Sequence, residues 1–250
     1  MTNHNNQNDF QEAFSDKFYV ELTKKVSEEQ NDPQAHFLLG LRYINGEGVP
    51  KDVEKGFLLI KKAAEMGFAD AYHELGVCYY CGEGTEKNLS AAVRWWAEGA
   101  AAGNLNSMTN LGLYYTNQSD KKLNEKGIKL LEAAAKRGQA EAQCNLGVSY
   151  WQGQGVEKNE KEGLKWLEKA AKQKLPNAMF ALGLFYKEKL DKQKKAGEKP
   201  EACMENAEKT VDYLLAAAET GFKPAVELLN HLVQELKTFL ESQTNEEKTK

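Results

Sequence analysis

One spacing of four side chains recurs five times along this sequence and constrains its fold more than any other feature. A small residue is followed after four positions by Leu, then by Gly, and three positions later by Tyr. The copies are Ala35/Leu39/Gly40/Tyr43, Ala71/Leu75/Gly76/Tyr79, Ser107/Leu111/Gly112/Tyr115, Ala142/Leu146/Gly147/Tyr150 and Ala178/Leu182/Gly183/Tyr186, with Leu-to-Leu steps of 36, 36, 35 and 36 residues. A period between about 20 and 50 residues indicates stacked supersecondary units. The sequence therefore predicts a repeat protein.

Each repeat is predicted to contain two helices, here named A and B. The small, Leu and Tyr positions are four residues apart, so they share one face of the A helix. A glycine inside a helix costs about 0.5–1 kcal/mol relative to Ala, so its recurrence predicts a close approach by the partner helix. Asp52, Asn88 and Asn159 precede the next apolar runs and are good N-cap residues for B helices. Glycines are predicted to end the B helices, and Lys174 takes that place in the fourth copy.

Two copies depart from the pattern. The third copy lacks the Gly-x-Gly loop that follows the first, second and fourth A helices, and the fifth carries 11 additional residues, which fall within the segment 187–200. The predicted boundaries are a disordered tail (1–9), an N-terminal capping helix (10–32), a solenoid (33–242) with repeats starting near 35, 71, 107, 142 and 178, a C-terminal capping helix (224–242) and a second disordered tail (243–250).

Composition limits the possible functions and compartments. The net charge of −4 argues against a general nucleic-acid binder, which needs a basic excess. No apolar run approaches the roughly 20 residues of a membrane span. The first ten residues lack the basic and apolar regions of a secretory signal, so we expect a cytoplasmic protein. The four cysteines do not form a disulfide pattern, which also favours a reducing compartment.

The sequence offers few groups for catalysis or metal binding. It contains four histidines, and none belongs to a zinc-protease, serine-hydrolase or phosphate-loop motif. Cys78 and Cys81 have Cys-x-x-Cys spacing, but they fall late in a predicted helix and no second pair supplies further zinc ligands. We therefore expect no catalytic residue, no cofactor and no metal.

The repeated Ala-x3-Leu-Gly-x2-Tyr motif, the Gly-x-Gly loop and the Ala-Ala pair near the end of each B helix together resemble the Sel-one-like repeat (SLR) family. This family is a branch of the tetratricopeptide-like α-solenoids, and the resemblance covers roughly residues 35–240. It implies an all-α fold in which about five antiparallel helix pairs form a right-handed superhelix. It further implies that A helices line the concave side, and that the protein is an adaptor for other proteins or peptides.

Positions −5, −2, +2 and +5 from the repeat Leu lie opposite it on a helical wheel, and by resemblance this side lines the groove. Position +2 is aliphatic throughout, which favours packing between A helices. The predicted partner-binding residues are Phe37, Asp70, His73, Tyr80, Asn110, Glu141, Asn145, Trp151, Asn177 and Phe180. Their aromatic members suit either peptide contact or filling of the inner wall, and both interpretations remain open. Because acidic residues outnumber basic ones in these rows, we expect a neutral or basic partner.

Three functions are considered. The first is a non-catalytic adaptor that binds a protein or peptide in its groove. The second is a narrower form, a bacterial immunity or regulatory protein that blocks one dedicated toxin or effector through the third-repeat irregularity or the 187–200 insertion. The third, disfavoured because no nucleophile–base pair is apparent, is a penicillin-binding or β-lactamase-like enzyme, an activity that the resemblance associates with some SLR members. The oligomeric state is left open.

Overall fold

The computed structural model describes residues 20–21, 23–25, 27–29 and 31–234, and all regular structure in this part of the chain is helical. Helical residues 20–29, as far as they are described, precede the repeats, and residues 223–234 follow them. Between them lie α1 (Pro33–Asn45), α2 (Val53–Glu65), α3 (Ala69–Cys81), α4 (Leu89–Ala101), α5 (Leu105–Thr116), α6 (Lys121–Lys136), α7 (Ala140–Gln152), α8 (Glu160–Lys172), α9 (Pro176–Lys195) and α10 (Pro200–Glu219).

The helices alternate between A and B types and pack with their chain neighbours. The pairs α1–α2, α3–α4, α7–α8 and α9–α10 are in extensive contact, as are α2–α3, α6–α7 and α8–α9. The predicted all-α repeat of helix pairs is confirmed, while the right-handed superhelical path stays a prediction. The predicted tails (1–9 and 243–250) lie outside the described residues, as do residues 10–19 and 235–242 of the two capping helices.

The chain consists of two compact units, the first ending at Tyr114 and the second beginning at Tyr115. The division falls within α5, just before the place where the third repeat lacks its Gly-x-Gly loop. In both units the repeat Leu is buried: Leu75 in the first unit and Leu146 in the second are fully inaccessible. No helix among the described residues is long and apolar enough to cross a membrane.

The recurring A-helix glycines lie at helix crossings, as predicted. A Cβ atom built on Gly40 would lie 3.0 Å from the carbonyl oxygen of Gly56 in α2. In the second unit a Cβ on Gly147 would lie 2.9 Å from the backbone nitrogen of Leu167 and 3.0 Å from the carbonyl oxygen of Gly163. The sequence interpretation missed that the B helices carry their own glycines, Gly56 and Gly163, at the same crossings. Gly56 and Gly163 occupy the same position of the B helix three repeats apart, and this recurrence is a signal that could have revealed them.

The helix ends follow the sequence prediction closely. Asp52, Asn88 and Asn159 each accept a hydrogen bond at 3.0 Å from a backbone N–H in the first turn of the following helix. Lys174 adopts a φ of 60°, the left-handed conformation that glycines adopt after the other B helices. The fourth B helix therefore ends at the predicted position, although the left-handed conformation is less favourable for Lys174 than for a glycine.

The insertion at 187–200 lengthens a helical hairpin. Helices α9 and α10 each contain 20 residues, against 13 in α7 and α8. Seven extra residues add about two turns, or about 10 Å, to each helix. The break predicted from Gly197 and Pro200 is confirmed, since Gly197 has a φ of 72° and α10 begins at Pro200.

Candidate functional site

The predicted binding residues divide between the two units, and we describe the two sets separately. The first-unit surface consists of Phe37, Asp70, His73, Tyr80 and Asn110. The second-unit surface consists of Glu141, Asn145, Trp151, Asn177 and Phe180.

A histidine bridge joins two A helices in the first-unit surface. The Nδ1 atom of His73 on α3 lies 3.1 Å from Oε1 of Glu74, and its Nε2 atom lies 3.1 Å from Nδ2 of Asn110 on α5. Because the Asn110 amide donates, Nε2 accepts, and the ring proton sits on Nδ1, where it donates to the Glu74 carboxylate. Both contacts are therefore satisfied by a neutral imidazole, which holds the two A helices in register.

A second polar link lies on the same helices. Nδ2 of Asn104 donates to Oδ1 of Asp70 at 2.9 Å, and Oδ1 of Asn104 accepts from the backbone N–H of Ser107 at 2.9 Å. The Asn104 side chain therefore both caps α5 and holds the Asp70 carboxylate in place. Sequence analysis did not select Asn104, although its place just before the third A helix is a recognisable N-cap position.

Tyr80 is the accessible aromatic residue of the first-unit surface. Its side chain is 47% exposed, and its ring centroid lies 5.6 Å from that of Trp96. The ammonium group of Lys87 lies 5.3 Å from the Tyr80 ring centroid. Phe37, by contrast, is half-buried against Phe68 at 5.2 Å between ring centroids. The Tyr80 side chain is therefore accessible and at the same time packed against the Trp96 ring.

Trp151 occupies the equivalent repeat position in the second unit but is only 6% exposed. Its indole N–H donates to Oε2 of Glu188 at 3.1 Å, and its ring meets Phe185 edge-on at 5.6 Å. It belongs to a buried cluster with Leu167 and Leu182. Of the two interpretations left open by the sequence, filling of the interior fits Trp151, because α9 supplies both an apolar partner, Phe185, and a hydrogen-bond acceptor, Glu188.

The carboxylate of Glu188 also takes part in a network of ion pairs. Its Oε1 lies 2.7 Å from Nζ of Lys192, which lies 3.6 Å from Oε1 of Glu160 at the start of α8. Lys158 also contacts Glu160, at 3.1 Å. The hydrogen bond from Lys158 lowers the pKa of Glu160 below its usual value, and the charge of Lys192 lowers it further. Glu188 was not predicted as a site residue, and it occupies the repeat position that Gln152, the last residue of α7, holds in the preceding repeat.

The remaining residues of the second-unit surface are mostly polar. Glu141 and Asn177 are exposed and Asn145 is half-buried. Phe180 is also half-buried, with its ring centroid 5.4 Å from that of Phe222. This surface therefore offers amide and carboxylate groups, while its two aromatic residues are largely engaged in packing.

The thiols and the acidic groups do not form a reactive cluster in the described residues. Burial raises the pKa of both the Cys78 and Cys144 thiols to about 12, and the negative charges of Glu83 and of Glu141, respectively, add to this effect. All four cysteines are free, and only Cys81 is exposed. No group of three or more His, Cys, Asp or Glu side chains arranged to hold a metal ion occurs in the described part of the chain. The arrangement is suited to non-covalent contacts through hydrogen bonds and aromatic faces.

Solved structures of similar sequence share this fold. A Sel1 repeat protein from Oxalobacter formigenes is 29% identical, with a TM-score of 0.66, over 82% of this chain and 80% of that one. A protective antigen of uropathogenic Escherichia coli with an SLR fold is 26% identical, with a TM-score of 0.64, over 82% of this chain and 42% of that one. The present chain thus spans less than half of the antigen. The immunity protein Pa5087 from Pseudomonas aeruginosa is 26% identical over 66% of this chain and 61% of that one, at a TM-score of 0.48 that supports no assignment.

A family model of the Sel1 repeat matches four consecutive segments of the chain, residues 33–68, 69–104, 105–139 and 140–175. These segments make up more than half of the sequence and correspond to α1 to α8. The fifth hairpin, with its two 20-residue helices, lies beyond the matched segments. The helix pairs, the glycine crossings and these matches agree, and the chain belongs to the Sel1 repeat family.

Proposed function

We propose that this protein is a non-catalytic adaptor that holds a protein or peptide partner on its first-unit surface. The observation that carries the proposal is the 47% exposed ring of Tyr80 on the same helix as the hydrogen-bonded residues His73 and Asp70. On a helix, positions 70, 73 and 80 fall within an arc of roughly 80°. One partner segment can therefore contact all three.

Tyrosine is enriched among the residues that contribute most to protein–protein affinity, because it buries a large area with few rotatable bonds. The ring of Tyr80 is supported by Trp96, so little conformational freedom remains to be lost when a partner binds. The His73–Asn110 bridge similarly fixes polar groups before binding. A rigid aromatic anchor beside prearranged polar groups is the usual composition of a protein interface.

The charge of this surface favours a neutral or basic partner. Asp70 is exposed, and the side chain of Glu74 retains 35% exposure beside His73. Asn104 donates to Asp70 without neutralising it. An acidic partner would face repulsion from both carboxylates, whereas a basic side chain would find a partially fixed acceptor.

For the second unit taken by itself, we propose that the exposed or half-buried polar residues Glu141, Asn145 and Asn177 make weak contacts of the kind found at the rim of an interface. Trp151 is excluded from this role by its burial, and Phe180 contributes only the part of its ring that Phe222 leaves uncovered. Rim residues contribute less to affinity than central anchors. We therefore expect substitutions in this set to have smaller effects than the loss of Tyr80.

The test is affinity capture from the native host, identification of the captured protein, and calorimetric titration with the purified partner. Replacing Tyr80 with Ala is expected to weaken binding by about 2 kcal/mol or more, roughly 30-fold. Leu58→Ala is the matched control, because Leu58 is 61% exposed on the B helix α2. Equal binding by the wild type and the Tyr80 variant, with unchanged helicity, would contradict the proposal.

The non-catalytic part of the proposal needs a separate assay. Purified protein incubated with a penicillin is expected to leave the β-lactam absorbance unchanged. Turnover that survives repurification and disappears on unfolding would assign the protein to the enzyme class instead.

A further inference from the structure

Helix α10 exposes three large apolar side chains on one stripe. Met204, Val211 and Leu215 are between 43% and 59% exposed. Their spacing of seven and then four residues places them within an arc of roughly 40° on the helix. The stripe is about 16 Å long, or three helical turns. Its buried neighbours Cys203 and Leu214 lie on a different side of the helix, so the stripe is not part of the hairpin core.

The other B helices show that repeat packing does not require this exposure. The position of Val211 corresponds to Phe57 in α2 and Ile128 in α6, both of which are buried. In the first unit, Phe57 is covered edge-on by Tyr79 of the following A helix at 5.3 Å. The corresponding residue after α10 is Val233, which is itself exposed.

An exposed apolar side chain at the position of Leu215 is likewise not required by the packing of the repeat. Its counterparts are the charged residues Lys61, Glu132 and Glu168 in three of the four other B helices, and the small residue Ala97 in α4. A charged side chain is the expected occupant of a solvent-facing position on an amphipathic helix. An exposed leucine at a position that is charged in three other B helices needs a reason outside the repeat.

Five acidic residues lie along one edge of the stripe. At 100° per residue, their positions are rotated about the helix axis by roughly 40° to 100° from the stripe, on the side away from the core. They are Glu201, Glu205, Glu208, Asp212 and Glu219. Lys209 pairs with Glu205 at 2.6 Å, and the other four have no ion pair among the described residues. The apolar stripe therefore has a negatively charged border.

We propose that this face of α10, comprising the apolar stripe and its acidic border and here named the α10 seam, docks an amphipathic helix of a partner protein. The complementary helix presents apolar residues at a matching spacing, with Lys or Arg along the facing edge. Three turns of contact require about 11–14 residues. Helix-in-groove recognition of this kind uses apolar anchors at helical spacing for affinity, while bordering charges set the choice of partner. The α10 seam is a surface separate from that of Tyr80.

Two synthetic helical peptides test the charge and the apolar contact together. Both carry Leu at the spacing of the stripe, and one has Lys where the other has Glu along the flanks. Fluorescence anisotropy with the full chain is expected to show the Lys peptide binding at least about tenfold more tightly, with affinity falling as salt is added. Equal affinity for the two peptides, or no saturable binding of either, would overturn the proposal.

Variants of α10 test whether the Lys peptide binds at this helix. Changing both Val211 and Leu215 to Asp is expected to weaken binding of the Lys peptide at least about tenfold, because charged groups then face its apolar side. Leu58→Asp, a change at a still more exposed position on α2, is expected to bind like the wild type. Tyr80→Ala is expected to leave peptide binding unchanged, which separates this result from the test of the proposed function. Full binding by the double variant would overturn the proposal.

Two other occupants of the α10 seam give distinct outcomes. A dimer of the free protein that the Val211/Leu215 double variant dissociates would assign the seam to self-association and overturn a basic partner helix. A zero-length cross-link in the free monomer, joining the acidic border to a lysine of residues 235–250, would assign the seam to the chain's own C-terminal segment and overturn it equally. A monomer without that cross-link, combined with selective Lys-peptide binding, would support the proposal.

Discussion

Tyr80 and Trp151 occupy the same position of the repeat, five residues after the buried Leu, yet their environments are opposite. Tyr80 in the first unit is 47% exposed, whereas Trp151 in the second is 6% exposed. Helix α9, one repeat after Trp151, places Phe185 and Glu188 against the indole. The ring of Tyr80 instead packs against Trp96 of its own repeat and stays accessible.

The comparison shows that a repeat position does not by itself define a surface. The motif determines which side of an A helix meets its own B helix, because that contact is repeated in every pair. The side chains that the following A helix presents then determine whether the opposite side remains open. An aromatic residue at one fixed position is therefore exposed in one unit and buried in the other.

The largest expected effect comes from removing the two aromatic rings in turn. Trp151→Ala is expected to lower the free energy of unfolding by about 3–5 kcal/mol, because it leaves a cavity beside Phe185 and deprives Glu188 of its donor. Tyr80→Ala is expected to cost less than about 1 kcal/mol, because most effects of surface substitutions are small. Urea unfolding followed by circular dichroism measures both. Similar costs for the two variants would break the contrast between the units.

The helix crossings provide the next largest effect. A Cβ on Gly76 would overlap only the Trp96 ring, whereas one on Gly147 would meet the Leu167 side chain and also backbone atoms of Leu167 and Gly163. Valine at either glycine is expected to cost about 1–3 kcal/mol through overpacking. A smaller residue at position 96 can relieve only the first clash, so adding Trp96→Leu is expected to recover stability in Gly76→Val. Adding Leu167→Ala to Gly147→Val is not expected to do so, and equal rescue in the double-mutant cycles would refute the distinction.

A smaller effect should follow the titration of Glu160. Its folded-state pKa is lowered by the Lys158 hydrogen bond and then by the charge of Lys192. The ionised group therefore stabilises the fold above its unfolded pKa, and this contribution is lost as pH falls through the lowered folded pKa. The melting temperature of Glu160→Gln is expected to fall below that of the wild type at neutral pH and to converge with it in acid. Glu54→Gln in α2 is the control, and a difference that persists unchanged at low pH would rule out this explanation.

Particular residues show how much the sequence could reveal. The burial of Leu75 and Leu146, the caps at Asn88 and Asn159 and the left-handed Lys174 all follow from local patterns that repeat with the period. Each of these features depends on one helix and its immediate neighbour, so the spacing of the repeated residues in the sequence is enough to predict it.

The candidate site was less predictable because its contacts join residues about one repeat apart. His73 meets Asn110, Asp70 meets Asn104, and Trp151 meets Glu188 through side chains of adjacent A helices. Which side chains meet depends on their identities and rotamers in adjacent helices, and the motif specifies neither. This is why His73 and Asn110 were selected without their mutual contact being foreseen, and why Glu188 was missed.

The sequence by itself determined the period, the pairing of A and B helices, the glycine crossings and the ends of the helices. These features come from backbone geometry and from packing between neighbours that recur in every copy. Only the tertiary structure decided that Tyr80 is open and Trp151 closed, and that the insertion extends a hairpin whose second helix carries an exposed apolar stripe. Exposure depends on what covers a residue from the next element along, and that element differs from one repeat to the next.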